Sequence, residues 1–139
     1  MPVIKFDYFA YPHIKNKKLV AIYRPIIAIR VSAKHKIYPN TIECVVDSGA
    51  DFNLLPATIG EHLGLDIKKG EKVTHMGIGN IRIEAYKHNV SLYVGRRKVT
   101  TEAHFSYHQK IPLLGRDGFF KYFKTITFNE KQLLLSLEY

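Results

Sequence analysis

Apolar and polar positions alternate with a period of two along much of this chain. Val99, Thr101, Ala103, Phe105 and Tyr107 alternate with Thr100, Glu102, His104 and Ser106; Ile81, Ile83 and Ala85 alternate with Arg82, Glu84 and Tyr86. Successive side chains of a strand point to opposite faces, so the pattern predicts half-buried strands. Further strand-like runs cover Pro25 to Val31, Thr41 to Val46, Val90 to Val94 and Leu133 to Leu137. Turn signals separate them at Pro39-Asn40, Gly77 to Asn80, Gly95 and Asn129. Short strands at this spacing predict a mainly β domain, an antiparallel sandwich or barrel.

Two segments depart from that period. Pro56 to Leu65 has a proline suited to a first helical position, then Ala57, Ile59, Leu63 and a stop at Gly64, which predicts a helix of about two turns. Arg116 to Phe123 places Phe119, Phe120 and Phe123 as one face of a short helix would. The tail from Lys124 to Tyr139 reads as a hairpin, Thr125 to Phe128 and Leu133 to Leu137 about a turn near Asn129-Glu130. The first two dozen residues are the least readable, because Pro12 and a lysine run interrupt any strand there.

Composition narrows the class. The 139 residues are 46% hydrophobic and 24% charged, which fits one folded domain over 1–139 and excludes a disordered chain. No apolar run approaches the roughly eighteen residues of a membrane span, and Met1 to Tyr11 lacks the apolar stretch of a secretion signal, so a soluble, unexported protein with no membrane partner is expected. Cys44 is the only cysteine, which excludes an internal disulfide or a thiolate metal cluster and fits a cytoplasmic location. The net charge of +9, from 21 Lys and Arg against 12 Asp and Glu, raises nucleic acid as a partner. The densest basic groups, Lys15, Lys17, Lys18 and Arg96, Arg97, Lys98, form no helix stripe and do not interleave with aromatics, so a solvated basic surface is the better reading.

The chemistry-bearing stretch is Val45-Val46-Asp47-Ser48-Gly49-Ala50, followed by Leu54-Leu55-Pro56. An apolar strand delivers a carboxylate into a turn whose small residues allow close backbone approach. Far downstream, Ile111-Pro112-Leu113-Leu114-Gly115-Arg116-Asp117 is an apolar strand ending in Gly and Arg. Between them lies the glycine-bearing hairpin tip Met76-Gly77-Ile78-Gly79-Asn80. Taken together and in this order, the three segments resemble the retropepsin-like aspartic proteases, the family of the retroviral proteases, over about Pro25 to Phe123.

That resemblance implies a closed antiparallel β-barrel with one or two short helices, a core over about 25–123 and an appended hairpin over 124–139. It implies an aspartic endopeptidase in which two Asp47 carboxylates share a proton and activate a water. The chain holds one Asp-Ser-Gly, so the second Asp47 would come from the partner of a C2 homodimer, and the substrate would be a polypeptide in extended conformation. By the same resemblance Ser48, Gly49 and Ala50 form the active-site loop, with Ser48 holding the two loops in register. Asp51 lines a substrate subsite with Met76, Gly77, Ile78 and Gly79 of the flap, and Arg116 pairs with Asp51. No metal or cofactor is implied. The competing readings are a catalytically inactive module of the same fold that dimerises or binds peptides, and a basic nucleic-acid-associated protein. Intact Asp47, Ser48 and Gly49 count against the former, and scattered lysines against the latter. His104 and His108, four residues apart on a strand, would sit about 13 Å apart, too far for one metal ion, and are expected at the surface. Cys44 is expected to be a small buried apolar residue, not a nucleophile.

Overall fold

Strands form where the period-two pattern places them, and also where it is absent. In this computed structural model, which describes residues 2–139 except the side chain of Ile78, the chain runs β1 (Val3–Asp7), β2 (Phe9–Lys15), β3 (Lys18–Arg24), β4 (Ile26–Ala33), β5 (Lys36–Ile37), β6 (Ile42–Val46) and β7 (Leu54–Pro56). Helix α1 (Ala57–His62) follows, then β8 (Glu71–Met76), β9 (Arg82–Val94), β10 (Arg97–Ser106), β11 (Leu113–Leu114), β12 (Thr125–Asn129) and β13 (Leu134–Glu138).

The main sheet has the order β5-β4-β6-β11-β7-β10-β9-β8, and a further pairing of β4 with β9 closes six of its strands into a barrel. Most pairings are antiparallel. Two short ones, β11 on β6 and β10 on β7, are parallel, and both flank the segment that carries Asp47. Inward-facing Ile27, Ile29 and Val31 of β4 meet Leu92 and Val94 of β9 and Val99, Ala103 and Phe105 of β10 in one buried cluster. Helix α1 adds Ile59 to it, and Leu63 and Leu65 just beyond its end join as well. The helix stops where the sequence places the stop: Gly64 takes φ +80°, and the amides of Gly64 and Leu65 donate to the carbonyls of Glu61 and Gly60.

Two expectations change, and a third is met and extended. The segment Arg116 to Phe123 is a run of turns ending in a single 3-10 turn, Phe120–Tyr122, with no α-helix. Its phenylalanines still serve the core: Phe119 and Phe123 are buried with ring centroids 5.0 Å apart. The opening residues hold three strands, and Pro12 is accommodated because β2 and β3 form a separate two-stranded sheet with open edges. The tail forms the expected hairpin of β12 and β13, and β1 joins it on the other side of β13, so both ends of the chain share one three-stranded sheet. The Tyr8 hydroxyl donates to Glu130 at the turn of that sheet; burial, together with this carboxylate, pushes the phenol up to about 12.

Candidate active site

The sequence places Asp47 at the end of an apolar strand, and the structure fixes it by its backbone. The Val45 amide donates to the Pro112 carbonyl (2.9 Å), Val46 to Pro25 (2.9 Å) and Asp47 to Leu114 (3.0 Å), so the end of β6 is held between β4 and β11. The chain then turns. The Gly49 amide donates to Asp47 Oδ1 at 2.9 Å and the Ala50 amide to the Asp47 carbonyl at 3.2 Å, an Asx-type turn that orients the carboxylate. Asp47 is half-buried, while Ser48 and Gly49 are exposed.

The Leu-Leu-Gly-Arg-Asp segment lies directly against this loop. The Arg116 amide donates to the Ala50 carbonyl (2.9 Å) and the Asp117 amide to the Asp51 carbonyl (2.7 Å). The closeness explains Gly115, because a Cβ there would strike the backbone of Phe52. The side-chain pairing expected of Arg116 and Asp51 is not formed. Among the described residues the ion pairs within 4 Å are Lys69–Asp66, Lys72–Glu84 and Lys87 with Glu71 and Glu102. Arg116 is exposed, and the Asp51 carboxylate instead acts on His75, where burial lowers the pKa and this carboxylate only partly opposes the shift. Backbone hydrogen bonds thus perform the tie that the resemblance assigned to the two charges.

Buried Asn53 is the residue that sequence reasoning missed. Its amide nitrogen donates to the carbonyls of Glu102 (3.0 Å) and Gly118 (2.8 Å), and its side-chain oxygen accepts from the Gly115 amide (3.1 Å). Its own carbonyl accepts from the His104 amide at 2.8 Å, and Thr101 Oγ1 donates to the Gly118 carbonyl at 2.8 Å. One side chain therefore joins the active-site loop, β10 and the turn after β11. Its partners lie tens of residues away, so no local spacing signals it.

The β8–β9 hairpin tip lies where the glycines place it. Strands β8 and β9 pair from Glu71↔Lys87 to Met76↔Arg82, and the Gly77 amide donates to the Ile81 carbonyl at 2.7 Å across the tip. Gly79 and Asn80 both take positive φ, +77° and +61°. Met76 is exposed, and the Ile78 side chain lies outside the described residues.

Near the tip end of β8, His75 Nε2 and His104 Nδ1 stand 2.8 Å apart, and Phe52 stacks on the His104 ring with centroids at 4.6 Å. His104 is only 4% exposed, which overturns its expected place at the surface. Alternation along β10 fails there because the second face of the strand's end is covered too: Phe52 stacks on the His104 ring and His75 reaches it from β8. Burial first, then the neighbouring His75 and Lys87, push His104 down to about 4; burial also lowers His75. His108 is exposed. Cys44 is fully buried on β6, and burial pushes its thiol up, away from any nucleophilic role. Among the described residues no group of three or more His, Cys, Asp and Glu is placed to hold a metal ion.

No family model matches the sequence, and no curated protein does either. Solved structures do match. A retropepsin-like aspartic protease from Rickettsia conorii superposes with a TM-score of 0.65 over 99% of this chain and 92% of that one, at 20% identity. The retroviral protease-like domain of Ddi1 from Leishmania major superposes with a TM-score of 0.53 over 81% of this chain and 92% of that one, at 15% identity. The chain has a retropepsin-like fold.

Proposed function

We propose that this fold serves an aspartic endopeptidase acting as a homodimer, with one Asp47 carboxylate supplied by each protomer. The observation that carries the reading is the state of the Asp47 loop. A half-exposed carboxylate is held by the Gly49 amide, and its turn is stitched by backbone hydrogen bonds to the segment after β11. Hydrolysis by this chemistry needs two carboxylates sharing one proton, and the chain has a single Asp-Ser-Gly. The dimer follows from that count.

In the dimer, two carboxylates held close cannot both ionise easily, so one stays protonated while the other acts as general base. A water between them gives up a proton and attacks the scissile carbonyl. The protonated partner donates to the carbonyl oxygen and stabilises the tetrahedral intermediate. No covalent intermediate forms. The exposed Ser48 would hold the two loops in register across the axis, and the Gly49 carbonyl would accept from the substrate backbone. Asp51 and the flap residues Met76 to Gly79 would border an extended peptide lying as an added strand. Closure of the flap would then exclude water.

The test combines solution mass with cleavage of a peptide library. The wild type should be dimeric and active; Asp47→Asn should remain dimeric and lose cleavage, because one substitution removes both members of the dyad. Cleavage that survives Asp47→Asn, or a monomer that cleaves, overturns the reading. A dimer that binds peptides without cleaving them would instead establish the inactive module.

A further inference from the structure

Strands β2 and β3 pair only with each other, from Phe9↔Arg24 to Lys15↔Lys18, and close through Asn16 and Lys17, both at positive φ (+50° and +63°). This is the two-residue turn that matches strand twist. Cross-strand partners share a face, so the register sorts the side chains. Tyr11 lies opposite Ile22 and His13 opposite Val20; Val20 and Ile22 are half-buried, and Phe9, Tyr11 and Arg24 line a cavity with Val45, Ile111 and Pro112 of the barrel. That face is turned to the body of the protein. The other face is Ala10, Pro12, Ile14, Leu19, Ala21 and Tyr23, every one exposed and none charged. At its end Ile14 and Leu19 face each other across the strands at 73% and 75% exposure, beside Lys15, Lys17 and Lys18.

We propose that the tip of the β2–β3 hairpin docks on an anionic lipid surface, Ile14 and Leu19 entering the boundary of the acyl chains while Lys15, Lys17 and Lys18 engage the headgroups. The tip carries exposed aliphatic side chains on one face, Lys17 in the turn and Lys15 and Lys18 on the opposite face, so a tip entering end-on meets such a surface with both. Lysine stems can follow apolar surface while their ammonium groups reach the headgroups. Charge selects this occupant over a second copy, because two tips each bearing Lys15, Lys17 and Lys18 would repel each other where they meet. It is also favoured over nucleic acid, since Ile14 and Leu19 at the lysine-bearing tip offer bases no stacking platform and the face's one aromatic, Tyr23, lies at its far end. Among the described residues no helix is long and apolar enough to cross a membrane, and contact from one side needs none. The inference stands on the hairpin alone and does not depend on Asp47 chemistry.

The test is co-sedimentation of the full chain with phosphatidylcholine vesicles, with and without phosphatidylserine. Wild type should bind only the anionic vesicles, and more weakly as salt rises. Replacing Lys15, Lys17 and Lys18 together by Ser should lower partitioning on the order of a hundredfold. Ile14→Asp/Leu19→Asp should abolish it. Ile14→Thr/Leu19→Thr, which keeps strand propensity, should weaken it with the melting temperature unchanged. Failure of wild type to bind anionic vesicles overturns the proposal, as does undiminished binding by both Ile14/Leu19 variants. A lower solution mass for Ile14→Asp/Leu19→Asp than for wild type without lipid would assign the face to a second copy and overturn the lipid proposal. Preferential binding of an RNA oligonucleotide, dependent on the lysines and indifferent to Ile14 and Leu19, would assign it to nucleic acid.

Discussion

His75 Nε2 and His104 Nδ1 meet at 2.8 Å between β8 and β10, and Phe52 of the loop that follows Asp47 stacks on the second ring. The contact needs one N–H and one bare nitrogen, so the pair accommodates at most one proton before two N–H groups oppose each other. The charged groups acting on it come from every neighbouring segment: Asp51 from the loop, Glu71 from β8 and Lys87 from β9. Lys87 in turn pairs with Glu71 at 2.9 Å and Glu102 of β10 at 3.7 Å. The junction of flap and loop is therefore a titratable one.

The pH dependence follows from His104. Its folded pKa of about 4 lies below the ordinary value of about 6.5, so between these pH values the unfolded chain binds a proton that the folded chain refuses. Stability from this group is complete above about pH 6.5 and is lost as pH falls toward 4. A His104→Phe variant should show a flatter melting-temperature profile across that window, since it keeps an aromatic ring against Phe52 and removes the titration. A profile that parallels wild type would assign the acid sensitivity elsewhere.

The parts legible in the sequence were those whose chemistry is local. Asp47-Ser48-Gly49 is readable as a turn because the Gly49 amide bonds to a side chain two residues back, and Gly77 to Asn80 because a hairpin tip needs positive φ. Asn53 was not, because its partners Glu102, Gly115 and Gly118 are brought to it only by the closed barrel. His104 was misread because alternation tells which residues share a face, not whether both faces are covered. Phe119, Phe120 and Phe123 carried a helical spacing, yet Phe119 and Phe123 are buried from a chain of turns. The opening hairpin was illegible because its outward face is as apolar as a core face, so its hydrophobic pattern named no inside.

Arg116 gives a prediction set by exposure. Its amide carries the tie to Ala50, and every residue but proline has an amide. Arg116→Ala should therefore lower the stability of the folded chain by under about 1 kcal/mol, the range of exposed charges, against about 3 to 5 kcal/mol for breaking a buried pair. Urea denaturation measures it. A loss in the larger range would mean that Arg116 acquires a buried partner when the dimer forms.

The proposed dyad predicts that a substrate analogue with a central hydroxyl in place of the scissile carbonyl should inhibit the wild type, because that hydroxyl would take the position of the attacking water between the two carboxylates. Asp47→Asn should bind it more weakly by at least tenfold, measured by calorimetry, since the charge-assisted hydrogen bond to the hydroxyl is lost. Equal affinity for the two proteins would place the inhibitor away from Asp47.

The strongest test of the scaffold is a double-mutant cycle between Asn53 and Gly118. Asn53→Ala leaves the buried Gly115 amide and the Glu102 carbonyl without the side chain they bond, at about 1 to 3 kcal/mol for each group left unsatisfied. The Gly118 carbonyl keeps its bond from Thr101 Oγ1, so it adds less. Gly118→Ala acts through a different cause, because its Cβ would run into the Asn53 amide group, and such overpacking costs about 1 to 3 kcal/mol. In the double variant the obstructing amide is gone. The overpacking term should then vanish, and the double variant should be more stable than the two single losses predict by about 1 kcal/mol or more. Additive losses in urea denaturation would mean that Gly118 is needed for its own backbone and not for its approach to Asn53, and the coupling of loop to turn through this one side chain would have to be abandoned.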